Sequence, residues 1–204
     1  MGFYSRVIFP RLCEFGLNQP FVATHRGDVL THARGEILEI GFGTGLNLPH
    51  YPDHVRKITA IDPNSGMHRK ALSRIEQTGL EVDKRLLGGE DLPFDDSAFD
   101  CVVSTFTLCS IDQIERALAQ IHRVLKPGGR FLFLEHGLSP EPNVRKWQRR
   151  LNRLQRLLAD NCHLDRDIRA LIGQQPYESI QMEELYLQKT PKTHGYVSKG
   201  VATK

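Results

Sequence analysis

The chain has no cysteine pair at metal-knuckle spacing, no long apolar run and no excess of either charge. Its cysteines, Cys13, Cys101, Cys109 and Cys162, stand far apart, without a CxxC pair or a Cys/His cluster at zinc-finger spacing. A disulfide framework or structural zinc site is therefore not expected, and a reducing cytoplasm fits best. The order of residues offers no convincing metal set. No apolar stretch reaches the ~18–20 residues that span a bilayer. In MGFYSRVIFP, Arg6 and Pro10 fall where a signal peptide needs its apolar segment. Arg6 also breaks the myristoylation pattern, which needs Ser or Thr there. With 27 basic against 24 acidic residues, charge alone points to no nucleic-acid partner. No RNA-binding module is recognisable either.

What is present is alternation. Residues 1–34 read as helical and partly amphipathic, interrupted around Pro10 and Pro20. From residue 35, short apolar strands alternate with helices. Strands are predicted at 36–40, 58–61, 82–87, 99–104 and 130–135, and helices at 66–78 and 112–125. Lys126-Pro127-Gly128-Gly129 closes the second of these helices. Such alternation predicts an α/β fold, a parallel sheet with helices on both faces. Beyond residue 140 come a basic helix at 143–160, a short helix at 165–173 and two β segments near 177–188 and 194–203. The whole reads as one domain.

Glu39-Ile-Gly41-Phe-Gly43-Thr-Gly45 follows the first strand and is expected to open a helix. Glycines there let the backbone turn tightly and approach a ligand. Asp62 ends the second strand, where a carboxylate can accept both hydroxyls of a ribose. Leu46 breaks the dinucleotide fingerprint, and the P-loop pattern is absent. The remaining loop admits a nucleoside without a pyrophosphate cradle.

EIGFGTG, AIDPN, GGEDLPFDDSAFDCVVST and VLKPGGRFLFLEH, in this order, resemble the class I S-adenosylmethionine-dependent methyltransferases of the type 11 group. The resemblance covers about residues 35–136. TFTLCSI, the NCHL at 161–164 and the ending KTPKTHGYVSKGVA are similar to a narrower branch. That branch resembles membrane-associated alkyl-thiol methyltransferases and, more distantly, ubiquinone/menaquinone C-methyltransferases.

The resemblance implies a Rossmann-like, seven-stranded, mostly parallel sheet with its last strand antiparallel. It divides the chain into an N-terminal helical lid (1–34), a cofactor core (35–136) and substrate-side helices with a final β-hairpin (137–204). The implied cofactor is S-adenosyl-L-methionine, leaving as S-adenosyl-L-homocysteine. Gly41, Gly43, Gly45 and Asn47 would then lie beside its methionine part and Asp62 on its ribose. Pro63, Asn64 and Met67 would flank ribose and adenine, and Glu90, Asp91 and Leu92 would hold the adenine edge. Many relatives carry Asp where this chain has Gly88, so Glu90, Asp91 or a backbone carbonyl must substitute.

The methyl acceptor should enter above the C-terminal ends of the strands. His136 ends the fifth strand and reads either as a general base or as a loop-holding histidine. Thr105 and Phe106 contact the cofactor or wall the site, and Cys109 reads as pocket lining. Cys162 and His163 lie in the substrate segment, His163 as a pocket residue, a loop anchor or a catalyst. Phe3, Tyr4, Val7, Ile8 and Phe9 form a lid over the site or an interfacial helix, with Tyr4 reaching the substrate pocket.

Six basic residues and no acidic ones lie between Arg145 and Arg156. Trp147, Leu151, Leu154 and Leu158 recur at helical spacing and read as a docking stripe, with the opposite face in water, on anionic lipid or drawing an acidic substrate. The reading is a methyltransferase for a small or amphipathic acceptor, a thiol first. A phospholipid amine or quinone precursor comes second, and a non-catalytic cofactor-binding protein stands as the alternative. Expected partners are that small molecule and, through residues 145–156, a membrane surface.

Overall fold

The computed structural model describes residues 4–204, with the side chains of Arg6 and of residues 67–70 outside the description. Phe3 and the Met67 side chain, both singled out in the sequence, therefore lie outside the described residues.

Ile37–Ile40 (β1) buries all four of its side chains, which requires cover on both faces. Ile37 packs with Cys101, Val103, Leu132 and Leu134, whereas Leu38 and Ile40 pack with Val102, Phe131 and Phe133. The period of two along each strand splits the core into these two layers. The other strands are Lys57–Ile61 (β2), Glu81–Arg85 (β3), Phe99–Thr105 (β4), Leu125–His136 (β5), Ser179–Tyr186 (β6) and Tyr196–Thr203 (β7). Their order is β3-β2-β1-β4-β5-β7-β6. β1 to β5 pair in parallel, and β7 runs antiparallel to both β5 and β6. The fold is thus the Rossmann-like α/β sheet expected, with the last strand reversed. Its order turns back between β1 and β4, so a crevice opens above the C-terminal ends of those strands.

The helices are Phe9–Leu17 (α1), Pro20–Leu30 (α2), His68–Thr78 (α3), Ile114–Val124 (α4), Pro142–Leu158 (α5), Ile168–Gly173 (α6) and Lys192–Gly195 (α7). In α4, Ile114, Ala117, Leu118, Ile121 and Val124 fall on one face and are buried. Each buried Ile or Leu stabilises by about 1.5–3 kcal/mol. Glu115 in its first turn and His122 and Arg123 in its last suit the helix dipole.

Three sequence expectations need correction. The glycine loop does not open an α-helix; only a 3-10 turn, Leu48–His50, follows. Pro49 and Pro52 remove backbone donors there, and a longer helix cannot propagate. Pro10 does not break the N-terminal helix. It sits in the first turn of α1, directly after a π-helical segment at Tyr4–Ile8, a position that wants no donor. The stripe of α5 does not dock as a unit. Val144 and Gln148 are the buried residues of α5, while Trp147, Leu154 and Leu158 are exposed. The buried face is set by polar contacts, since Gln148 donates to the carbonyls of Gly137 (3.0 Å) and Thr193 (3.2 Å).

Candidate active site

A cavity of about 430 Å³ occupies the crevice above β1, β2 and β4. Gly41 (φ +73°) and Gly43 (φ +56°) line its floor in the left-handed region that favours glycine. A side chain at Gly41 would collide with Thr107, whereas one at Gly43 would meet only the Gly41 carbonyl and otherwise enter open space. Asp62 holds this loop in shape. Its two carboxylate oxygens accept the Gly43 and Asn64 amides, each at 2.7 Å. Burial raises its pKa above the usual carboxylate value, partly offset by those two bonds.

At one end of the cavity lies a buried polar network. Arg26, from α2, donates to Asn47 Oδ1 (2.7 Å) and Thr105 Oγ1 (2.7 Å). Asn47 in turn donates to Glu39 Oε1 (2.9 Å), and the Tyr51 hydroxyl donates to Glu39 Oε2 (2.7 Å). Burial pushes Glu39 up to about 7 and Arg26 down to about 10. Arg26 Nε is buried without a hydrogen-bond partner in a residue that lines the cavity. A buried cation and a buried carboxyl at one end complement a zwitterionic amino acid. Asp62 offers acceptor oxygens to vicinal hydroxyls.

The space a side chain at Gly88 would take is held by Glu90, whose Oε2 lies 2.6 Å from the position of that missing Cβ. Gly88, Gly89 and Glu90 all line the cavity. The cavity therefore fits S-adenosylmethionine, with the Glu90 carboxylate beside Gly88.

A second cavity, about 380 Å³, adjoins the first and shares Phe9, Cys13, Leu17, Phe106 and Ser110 with it. Its walls include Leu12, Val22, Leu158 and Leu187, and among the described residues no Asp, Glu, Lys or Arg lines it. At its polar end Cys109, His136 and Cys162 converge, their ligand atoms all within 4.8 Å of one another. His136 Nε2 lies 2.8 Å from Cys162 Sγ, which lies 3.5 Å from Cys109 Sγ. The Cys109 contact lowers the Cys162 thiol pKa against burial, while that contact and burial push the Cys109 thiol up. Burial alone would lower His136, but the Cys109 thiol and Glu135 raise it overall.

The segment carrying Cys109 is clamped from below. Buried Glu135 accepts Ser104 Oγ (2.7 Å) and the amides of Thr107 (2.8 Å) and Leu108 (3.1 Å). Phe106 adopts φ +52°, strain that this clamp maintains beside the Arg26 guanidinium, 5.3 Å from the ring.

The N-terminal segment closes over both cavities. Glu14 of α1 pairs with Arg74 and accepts Thr44 Oγ1 (2.8 Å) from the glycine loop. Ser5 Oγ donates to Asp160 (3.0 Å), and its carbonyl accepts Asn64 Nδ2 (2.8 Å). Phe9, Cys13 and Leu17 form the roof.

Of the sequence candidates, Gly41, Gly43, Asn47, Asp62, Pro63, Asn64, Glu90, Thr105 and Phe106 line the first cavity. Phe106, Cys109, His136 and Cys162 line the second. Five others line neither. Gly45 (φ +77°) turns the chain beneath the loop, where a Cβ would press on Leu48. Asp91 is exposed near Arg116, and Leu92 belongs to the core. Tyr4 donates instead to the Leu158 carbonyl. His163 has Asp165 as its ionic neighbour at 3.9 Å, and its amide anchors to the Cys109 carbonyl (2.8 Å). Adjacent residues point apart, so Cys162 enters the cavity while His163 leaves it. Sequence reasoning missed Arg26, Glu14 and His194. Arg26 carries a signal only in hindsight, a lone basic residue on an otherwise apolar helix face.

Residues 38–133 match the methyltransferase domain family. Thiol S-methyltransferase TMT1B of Rattus norvegicus is 34% identical over 151 residues, covering 72% of this chain and 62% of that protein. Thiol S-methyltransferase TMT1A of Homo sapiens is 32% identical over 173 residues, covering 80% and 70%. The match thus spans about two thirds of these relatives. The crystal structure of a SAM-dependent methyltransferase from Thermotoga maritima shares the fold at TM-score 0.69 and 21% identity, covering 98% of each chain.

Proposed function

The chain belongs to the class I S-adenosylmethionine-dependent methyltransferases of the type 11 group, and on that premise we propose that it methylates the sulfur of a small or amphipathic thiol. The observation that carries this is the pair of adjoining cavities, one polar and one apolar, with thiols and an imidazole lining the apolar one. Its relatives' names supply the thiol.

S-adenosylmethionine supplies an electrophilic sulfonium methyl, open to direct in-line displacement. The chain's own residues bind, orient and dry the reactants. Arg26, fixed by Asn47 and Thr105, supplies the positive charge that draws the amino-acid carboxylate, and Glu39 and Asn47 face the amino group. Asp62 accepts the ribose hydroxyls and Glu90 the adenine amine. Phe106 stands where the cavities meet, and α1 excludes water. The acceptor's apolar part lies along Leu12, Val22, Leu158 and Leu187, with its nucleophilic atom against His136.

The acceptor's route follows from the surface. Leu12 and Leu158 line the second cavity yet are half exposed, and Phe15 (81%) and Leu157 (75%) project fully. With the basic residues of α5, these form an apolar and cationic rim suited to an anionic bilayer surface. No described helix is long and apolar enough to cross a membrane. We assign the rim to peripheral membrane contact at the cytoplasmic face.

A labelled-methyl assay against alkyl thiols, phospholipid amines and quinone precursors tests the activity, beside calorimetry with S-adenosylmethionine and S-adenosylhomocysteine. Methylated thiol is the expected product. Transfer to amine or carbon only would replace the acceptor, and binding without transfer would favour a non-catalytic role. Co-sedimentation should be stronger with anionic than with zwitterionic vesicles.

A further inference from the structure

We propose that Cys109, His136 and Cys162 form a zinc site whose open fourth position faces the apolar cavity and takes the acceptor as its thiolate. The three residues come from three segments, the loop after β4, the end of β5 and the turn between α5 and α6. Their ligand atoms nevertheless converge within 4.8 Å. In a tetrahedral Cys2His site, neighbouring ligand atoms stand roughly 3.5–3.8 Å apart, from Zn–S and Zn–N bonds of about 2.3 and 2.0 Å. The Cys109–Cys162 separation of 3.5 Å is close to this, and His136 needs to withdraw slightly from its 2.8 Å contact with Cys162.

The donor set selects the ion. Two thiolates and an imidazole suit Zn²⁺, whereas Mg²⁺ and Ca²⁺ call for carboxylates, and none lines the cavity among the described residues. Three protein ligands with an open position mark a catalytic rather than a structural zinc site. The supports beneath the ligands are already built. Glu135 fixes the Cys109 loop, the His163 amide ties it to the Cys162 turn, and Arg166 donates to the Leu108 and Ile111 carbonyls.

The site answers a chemical need of the second cavity. An apolar wall disfavours thiolate formation, because desolvation raises a thiol's pKa. A dication reverses this. On binding, the acceptor's S–H bond breaks, a Zn–S bond forms and the proton leaves to water. The two protein thiolates cancel the dication, so the third sulfur keeps its negative charge and its nucleophilic pair. That sulfur forms the S–CH₃ bond as the methyl carbon's bond to the donor sulfur breaks, and the electron pair of the broken bond goes to the donor sulfur. His136 then acts as ligand rather than base. The thiolate step rests on the thiol acceptor proposed above; metal binding does not.

The test uses the full chain, stripped with a chelator under reducing conditions and titrated with Co²⁺, then Zn²⁺. We expect one Co²⁺ per chain with thiolate charge-transfer and tetrahedral d–d bands, displaced by Zn²⁺. Cys109→Ser, Cys162→Ser and His136→Ala should each weaken binding by roughly a hundredfold or more, and Cys101→Ala should leave it unchanged. Adding an alkyl thiol should shift the Co²⁺ spectrum, and adding a primary amine of the same chain length should not. Absence of the bands in the wild-type chain would overturn the site, as would a Cys109–Cys162 disulfide that persists under these conditions. Metal binding without a thiol-induced shift would overturn the open position. Thiol methylation that survives complete metal removal would overturn the zinc step while leaving the proposed acceptor intact. A zinc-bound chain that methylates only amines would overturn the thiol acceptor, and the thiolate step with it, while leaving the metal site intact.

Discussion

The two joined cavities were built by different means. The first is polar and comes mainly from consecutive motifs at the ends of β1, β2 and β4, each supplying several wall residues at once. The second is apolar and gathers residues far apart in the chain, from α1, α2, the β4 loop, β5, α5 and the turn after it, and the stretch from Leu187 into α7. In the proposed function, the first recognises a cofactor by fixed polar groups, and the second selects by shape and by Cys109, His136 and Cys162. A cofactor site is therefore legible as a motif, whereas an acceptor site is legible only as a volume.

Substitutions in the first cavity should damage cofactor binding alone, and the largest effect is expected at Gly41. Gly41→Ala adds a Cβ into Thr107 at φ +73°, so cofactor binding should be lost in calorimetry and thermal unfolding should shift downward. Next comes Arg26→Ala, which removes the buried cation and unpairs Asn47 and Thr105. S-adenosylmethionine affinity should fall by about 2–4 kcal/mol, with S-adenosylhomocysteine affected equally because both carry the carboxylate. Asp62→Ala should cost about 1.5–3 kcal/mol of cofactor affinity. An unchanged affinity there would separate the loop from the ribose.

The second cavity should respond independently. Leu12→Glu places a charge at the apolar rim, and the KM for a long-chain thiol should rise by roughly tenfold while cofactor affinity holds. Equal loss of both affinities would show that the cavities act as one.

A last expected effect concerns the pH dependence of stability. Burial holds Glu39 near 7, above its unfolded value of 4.5. Below pH 4.5 both states are protonated and the group is neutral to stability. Between 4.5 and 7 the unfolded chain releases this proton while the folded chain keeps it, so stability falls as pH rises. Above 7 the loss is complete, of the order of 1–3 kcal/mol in the cofactor-free chain. Glu39→Gln should flatten this slope in urea unfolding compared at pH 5.5 and pH 8.

The sheet was legible because strand burial is written locally. Ile37–Ile40 and Phe131–Leu134 are apolar runs that only a two-faced core can hold. Asp62 and the glycines were legible because chain-adjacent residues share one crevice. The α5 stripe misled because its apolar spacing was real but its partner was absent. Whether Trp147 or Gln148 faces inward depends on the carbonyls of Gly137 and Thr193, which lie far away in the chain. Of the readings open for His163, its amide contact with the Cys109 carbonyl fits the loop anchor.

Local order in the sequence determined the fold class and the glycine turn that ends β1, since each depends on residues within one strand–turn unit. The tertiary structure alone decided the meeting of Cys109, His136 and Cys162. These residues are separated by more than two dozen positions each, too far for any spacing rule. They converge because β4 and β5 end side by side in register and the turn after α5 folds back over both. Long-range closure of that kind is fixed by packing, which no local pattern records.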